Sequence, residues 1–232
     1  MRYVFVGLGV AIVIAFIVFL YIAALRTGAA RVGQPKQKRP KKRRLSIQEI
    51  RGLQGEKYVE KELAEVMSEH DHLFSGLLIP YNKAGDTTEI DLILVSTKGI
   101  FCIEVKYLVG SIVGDEYRKY WEQIYDDLYT SNKTIKNGYR QNEKHVSLLE
   151  RKLNNQFDVY NVVIIANYDN DISNLNGTHI FRIDSFIDSF KALDDILEIE
   201  EIEKASNIIR GFVATEEQLG AHKARLKTKY NN

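Results

Sequence analysis

The stretch Glu89–Tyr107, EIDLILVSTKGIFCIEVKY, leaves this chain few folds to choose from. Two runs rich in Ile, Leu, Val and Phe, Glu89–Ser96 and Ile100–Tyr107, each have the length of a strand, and the Thr-Lys-Gly step between them is a turn. The spacing predicts a tight hairpin within a sheet that is largely buried. Three charged side chains interrupt it: Asp91, Glu104 and Lys106. Side chains alternate along a strand, so Glu104 and Lys106 share a face, and pairing across the hairpin brings Asp91 close to Glu104.

Two readings of this trio are open. Lys106 can simply neutralise Glu104 in a half-buried ion pair. Alternatively, the two carboxylates repel one another until a cation sits between them, and carboxylate oxygens with retained waters are what Mg²⁺ or Mn²⁺ prefers. A lysine beside such a cation can orient an attacking water and steady charge on a phosphate. Setting three charges in apolar strands is costly, which favours a site over an incidental pair.

Around the hairpin the pattern alternates helix and strand. Ser46, with Glu49 three residues on, has the form of a reciprocally capped helix start, and apolar spacing carries that helix to about Glu69. Strands are expected at Leu73–Ile79, Gly110–Gly114, Lys119–Ile124, Val159–Ala166 and Ile180–Ile183. Helices are expected at Asn142–Asn154, Ser185–Leu193, Glu198–Phe212 and Thr215–Tyr230. The near-continuous apolar run of Val159–Ala166 is that of a strand covered on both faces. A helix, a strand meander, a helix and a further strand give an α/β fold with a mixed central sheet and helices packed on it. The glycines at 85, 99, 110 and 114 match neither a P-loop nor a dinucleotide-binding pattern, and Trp121 reads as packing.

The front of the chain differs in kind. Tyr3–Leu25 holds no charged residue over 23 positions, enough helix to cross a hydrocarbon core of about 30 Å, so residues 1–25 are expected to be a single uncleaved membrane anchor. Arg26, Arg31 and the PKQKRPKKRR run of residues 35–44 add nine positive charges and no negative one. Residues 26–44 thus read as a basic linker that keeps the remainder of the chain on the cytoplasmic side of the cell membrane, with anionic lipid contact open to residues 35–44. Residues 45–232 are left with 22 basic against 31 acidic residues, a formal charge of −9. That excludes a uniformly basic body; a nucleic acid would have to be held by a local strip, for which Lys133, Lys136, Arg140 and Lys144 are the candidates. One cysteine, Cys102, excludes an intramolecular disulfide.

The blocks GEKYVEKEL (Gly55–Leu63), GDTTEIDLILVSTKGIFCIEVKYLVGSIVGD (Gly85–Asp115), Trp121 and RQNEKHVSLL (Arg140–Leu149) resemble, in the same order, the signature blocks of the nuclease-related domain family, NERD. That family is assigned to the PD-(D/E)XK nucleases, which share a restriction-endonuclease-like αβββαβ core. The likeness covers roughly residues 50–165; with the elements that flank it, the domain is expected over residues 45–190, succeeded by a C-terminal helical extension over 191–232 that lies outside the likeness. The resemblance implies Asp91 and Glu104 as ligands of Mg²⁺ or Mn²⁺, Lys106 beside the attacking water, Glu56 as the acidic residue on the first helix, and Gln141 as the polar residue after the core strands. His145, four residues further along the same helix, is a weaker candidate. The activity implied is hydrolysis of nucleic-acid phosphodiester bonds, with DNA placed ahead of RNA. The alternative is a nuclease fold kept for nucleic-acid binding or signalling at the membrane without turnover. No feature of the sequence speaks to oligomeric state.

Overall fold

The structure, a computed structural model, describes residues 45–125 and 130–230. The expected anchor and basic linker lie outside the described residues, and among those described no helix is long and apolar enough to cross a membrane. The first helix, α1 (Ile47–Ala64), begins as its capping pattern requires: Ser46 Oγ accepts from Glu49 N at 3.2 Å and Glu49 Oε2 accepts from Ser46 N at 2.8 Å. It stops five residues before Glu69, because Val66 N turns back to Leu63 O and Asp71 Oδ2 accepts from Ser68 N, drawing the chain into a turn.

Three antiparallel strands come next, β1 (His72–Pro80), β2 (Thr87–Ser96) and β3 (Gly99–Lys106). The β2–β3 hairpin closes on the pair Ser96↔Gly99 around Thr97 and Lys98, with Gly99 at φ 126, a conformation side-chain-bearing residues avoid. The chain then leaves this sheet for β4 (Ser111–Asp115), β5 (Tyr120–Ile124) and β6 (Lys133–Lys136), and returns through α2 (Gly138–Lys152) to β7 (Val159–Ile165), parallel to β3. The short β8 (Leu175–Asn176) and β9 (Ile180–Phe181) and helices α3 (Ile183–Lys191), α4 (Ile199–Arg210) and α5 (Glu216–Tyr230) complete it.

An α/β fold is thus present, but its strands divide between two sheets where one was expected. The main sheet runs β1-β2-β3-β7-β9 and the smaller one β6-β5-β4-β8. The division follows from Gly110, at φ 75 and packed against the Ile124 carbonyl, which turns the chain off the main sheet, and from Trp121, which fills the space between the sheets. Its ring is fully buried with Ile112, Val163, Ile165 and Leu175, and its Nε1 donates to Asp115 O at 2.9 Å. β6 is not legible from sequence because its four residues, Lys-Thr-Ile-Lys, are mostly exposed.

The main sheet is covered on both sides. Leu148 and Leu149 of α2 and Leu153, which caps its end, with Ile202, Ala205 and Ile209 of α4, pack on Ile93, Val95, Ile100 and Cys102. Val59 and Leu63 of α1, with Phe186 and Phe190 of α3, pack on Leu92, Leu94, Phe101 and Ile103. One buried amide joins three elements: Asn142 Nδ2 donates to Cys102 O, Asn161 Oδ1 and Val162 O, and its Oδ1 accepts from Cys102 Sγ. Beyond β1, residues 212–214 extend the sheet through Leu78 N to Phe212 O, Ala214 N to Gly76 O and an antiparallel bridge Leu77↔Val213.

A Cβ added at Gly114 would lie on the Trp121 ring. Gly114→Ala is expected to cost about 2 kcal/mol in a urea titration and to shift the emission of Trp121, the chain's only tryptophan, toward that of an exposed indole. An unchanged midpoint and emission maximum would contradict the packing described.

Candidate active site

The register that builds the hairpin also builds the site. Leu92 pairs with Ile103, so Asp91 stands opposite Glu104, at the point where the two strands begin to part. On its other side Asp91 faces Gly76, and between the pairs Ser75↔Leu92 and Leu77↔Ile90 this is the one position where β1 and β2 fail to pair. Gly76, at φ 63, lets β1 deform there. Asp91 Oδ2 takes the place of a ladder partner by accepting from Val105 N at 2.9 Å.

Glu104 is 3 % exposed. Its Oε1 accepts from Lys106 Nζ at 2.6 Å and from Gln141 Nε2 at 2.7 Å, and Lys106 Nζ also donates to Gln141 Oε1 at 3.1 Å. The three side chains form a closed triangle of charge-assisted bonds. Gln141 is in the first turn of α2, whose start is fixed by Asn137: its Oδ1 accepts from Arg140 N, while its Nδ2 donates to the carbonyls of Asp115, Glu116 and Arg118. The helix therefore begins four residues before the position expected from apolar spacing. At Gly138, where a Cβ would meet Lys106 Cε, Val163 and Trp121 at 3.1–3.3 Å, the absent side chain leaves room for the lysine stem.

Glu56 arrives from α1, which approaches the end of β3 closely at Gly55, where a Cβ would stand 3.3 Å from Tyr107 and Ala166. Burial pushes the Glu56 carboxyl up to about 7, opposed by Lys223 and reinforced by Glu89, Glu104 and Glu60. Asp91 is held well above the usual carboxylate range by burial, then by the charges of Glu104 and Glu56. Burial works against the ammonium of Lys106, but Glu104, Asp91 and Glu56 outweigh it and raise its pKa. His145 is buried; its Nε2 is 3.2 Å from Thr88 Oγ1, and its Nδ1 is 3.6 Å from Glu104 Oε2 without a hydrogen bond. Burial lowers its pKa against the pull of Glu104.

Asp91, Glu104, Lys106, Gln141 and Glu56 therefore meet at one half-buried corner of the sheet. The basic strip does not join them: Lys133, Lys136, Arg140 and Lys144 are exposed on β6 and the first turns of α2, and Arg140 is engaged by Glu143 and the Tyr117 carbonyl. Two charged residues at the corner carry no signal in the sequence. Glu89, first residue of the quoted stretch, and Lys223, in the C-terminal helix, form an ion pair at 2.8 Å beside Glu56. Among the described residues no three His, Cys, Asp or Glu side chains are grouped to hold a metal ion by themselves. Asp91 and Glu104 are the pair that could hold one hard cation whose remaining positions are water.

A model of the nuclease-related domain matches residues 51–166, half of the 232-residue chain and the segment from α1 through β7. An uncharacterized protein of Bacillus anthracis is 30% identical over 100 residues, covering 43% of this chain and 45% of the relative, so the chain spans less than half of that protein's length. No solved structure matches.

The raised Glu56 carboxyl has a consequence for stability. Between pH 4.5 and about 7 the folded state keeps a proton on Glu56 that the unfolded chain has lost, so this group's contribution to stability falls as pH rises through that window. With the exposed part of the side chain discounted, the loss is about 2 kcal/mol. In chelator, Glu56→Gln should flatten the dependence of the urea midpoint on pH over this range and exceed the wild type in stability at pH 8; equal slopes for the two proteins would refute the assignment.

Proposed function

The chain belongs to the nuclease-related domain family, and from that premise we propose that it is a divalent-metal-dependent hydrolase of nucleic-acid phosphodiester bonds. The observation that carries the reading is the convergence of Asp91, Glu104 and Lys106, fixed by Gln141 and faced by Glu56. Its element order, one helix, three antiparallel strands, a helix and a parallel strand, agrees with a restriction-endonuclease-like core.

The residues fit a hard dication. Four carboxylates, Glu56, Glu89, Asp91 and Glu104, face two ammonium groups, Lys106 and Lys223, and Glu104 Oε2 is a buried oxygen without a hydrogen-bond donor. Asp91 and Glu104 would hold Mg²⁺ or Mn²⁺, which supplies Lewis acidity at a phosphoryl oxygen. Lys106, kept charged by Glu104 and aimed by Gln141, donates to the phosphate oxygen on which charge develops. Glu56, with a carboxyl that titrates near neutrality, takes the proton of the attacking water.

The exposed Lys133, Lys136, Arg140 and Lys144 would track the backbone of DNA or RNA. Residues 3–25 would anchor the protein in the cell membrane with this domain in the cytoplasm, and residues 35–44 would rest against anionic lipid. A second reading, a nucleic-acid-binding or signalling module without turnover, draws on the −9 charge of residues 45–232, which works against holding a polyanion at a working enzyme's turnover.

Residues 45–232, which form one compact unit, should cut DNA or RNA in Mg²⁺ or Mn²⁺ and not in chelator. Lys106→Ala should lower the rate by about 10²–10³, and Asp91→Asn should remove the heat of metal binding in calorimetry. Lys106→Ala cutting at the wild-type rate would overturn the mechanism; binding with no turnover under any divalent metal would select the second reading.

A further inference from the structure

Lys223 lies outside the family-matched segment, on a helix that no part of the mechanism above uses. The position of that helix is set by its partners. Leu219 Cδ1 covers Gly76, the glycine opposite Asp91; His222 Nδ1 is 2.9 Å from Thr87 Oγ1; Arg225 Nη1 is 3.4 Å from Asp86 Oδ1. Leu219, His222 and Lys223 have the i, i+3, i+4 spacing of one helical face, so the contacts that seat Leu219 and His222 also aim Lys223 at the carboxylates. Residues 212–214, hydrogen-bonded along β1, fix the start of the same segment.

Lys223 Nζ is 2.8 Å from Glu89 Oε1, and its side chain keeps about a third of its surface in solvent. Glu89 engages one of three ammonium donors, and an accessible ammonium can offer the others to a ligand. The charge reaches further than Glu89: Lys223 is the strongest influence opposing the rise at Glu56, and both Glu56 and Asp91 help keep Lys223 protonated. The carboxylates are therefore flanked by two cations from different elements, Lys106 on β3 and Lys223 on α5. A polyanion approaching four carboxylates meets strong repulsion unless cations line its way in.

We propose that Lys223 is a substrate-contacting residue that binds a backbone phosphate of the nucleic acid beside Glu89, at the start of β2. The inference rests on the nuclease reading of the site. It makes the C-terminal helix part of the substrate surface, and it predicts that Lys223 supports nucleic-acid affinity without supporting metal affinity.

The test is fluorescence anisotropy with the full-length chain in mild detergent and Mg²⁺, using fluorescein-labelled phosphorothioate DNA that resists cleavage, as a duplex and as a single strand, over a series of salt concentrations. Lys223→Gln should weaken binding about tenfold and reduce the salt slope by about one phosphate contact, with calorimetric Mg²⁺ affinity no weaker than that of the wild type and Lys223→Arg retaining most of the wild-type affinity. The double variant Lys223→Gln, Glu89→Gln removes the ion pair without stranding a charge, so it remains informative if Lys223→Gln alone disturbs folding. It should bind as weakly as Lys223→Gln. Recovery of wild-type affinity and slope in the double variant, or a Lys223→Gln protein equal to wild type, would show that Lys223 only neutralises Glu89 and would overturn the inference alone. A wild-type chain that binds neither DNA, nor a phosphorothioate RNA strand of the same sequence, would overturn the reading of the site and this inference with it.

Discussion

A carboxylate that is 3 % exposed, with an ammonium 2.6 Å away, has a place inside a fold only if the surroundings hold the two together. Desolvation penalises each ion separately, and their attraction compensates only when the geometry is good and further hydrogen bonds satisfy the remaining groups. For Glu104 and Lys106 that requirement reaches through much of the fold. Gln141 bridges both, so α2 must begin where it does. Asn137 sets that beginning by binding the 115–118 turn, and Gly138 makes room for the lysine stem. The smaller sheet matters to the site through this chain of contacts: it presents the turn on which the helix is hung.

The hairpin is legible directly because each link is local. Alternation places Glu104 with Lys106, and a short turn brings Asp91 close to them; the exact register that sets Asp91 opposite Glu104 comes from a turn of two residues, Thr97 and Lys98, where the sequence suggests three. Gln141 and Glu56 are accessible only through resemblance, since nothing in their own helices distinguishes them from solvated polar residues. The hidden remainder depends on long-range contact. Glu89 and Lys223 are ordinary surface types in sequence, and only the return of the chain along β1 through residues 212–214 brings α5 to the start of β2. The start of α2 is hidden for another reason: glycine and asparagine carry no apolar periodicity, and the cap that decides the matter is made with carbonyls about twenty residues earlier. The four-residue β6, exposed and half lysine, offers too little pattern to separate a strand from a loop.

The same local break serves two ends of the structure. Where β1 and β2 fail to pair, Gly76 gives up its side chain and Asp91 gives up its ladder partner. Asp91 is thereby free to turn toward Glu104 and accept from Val105. On the outer side, the bare backbone of Gly76 accepts from Ala214 N and receives Leu219. An edge strand that would otherwise expose open hydrogen-bonding groups is partly covered by the chain's own C-terminal segment.

Cys102 lies two residues before Glu104, in the middle of the main sheet, with its thiol bonded to Asn142 and its pKa raised well above the usual range by burial and then by the charges of Glu104 and Asp91. It is the only sulfhydryl in the chain. A thiolate-seeking reagent can meet it only after β3 has separated from α2 and β7, so the chain carries its own stopwatch for the slowest breathing of the strand that bears the charged pair.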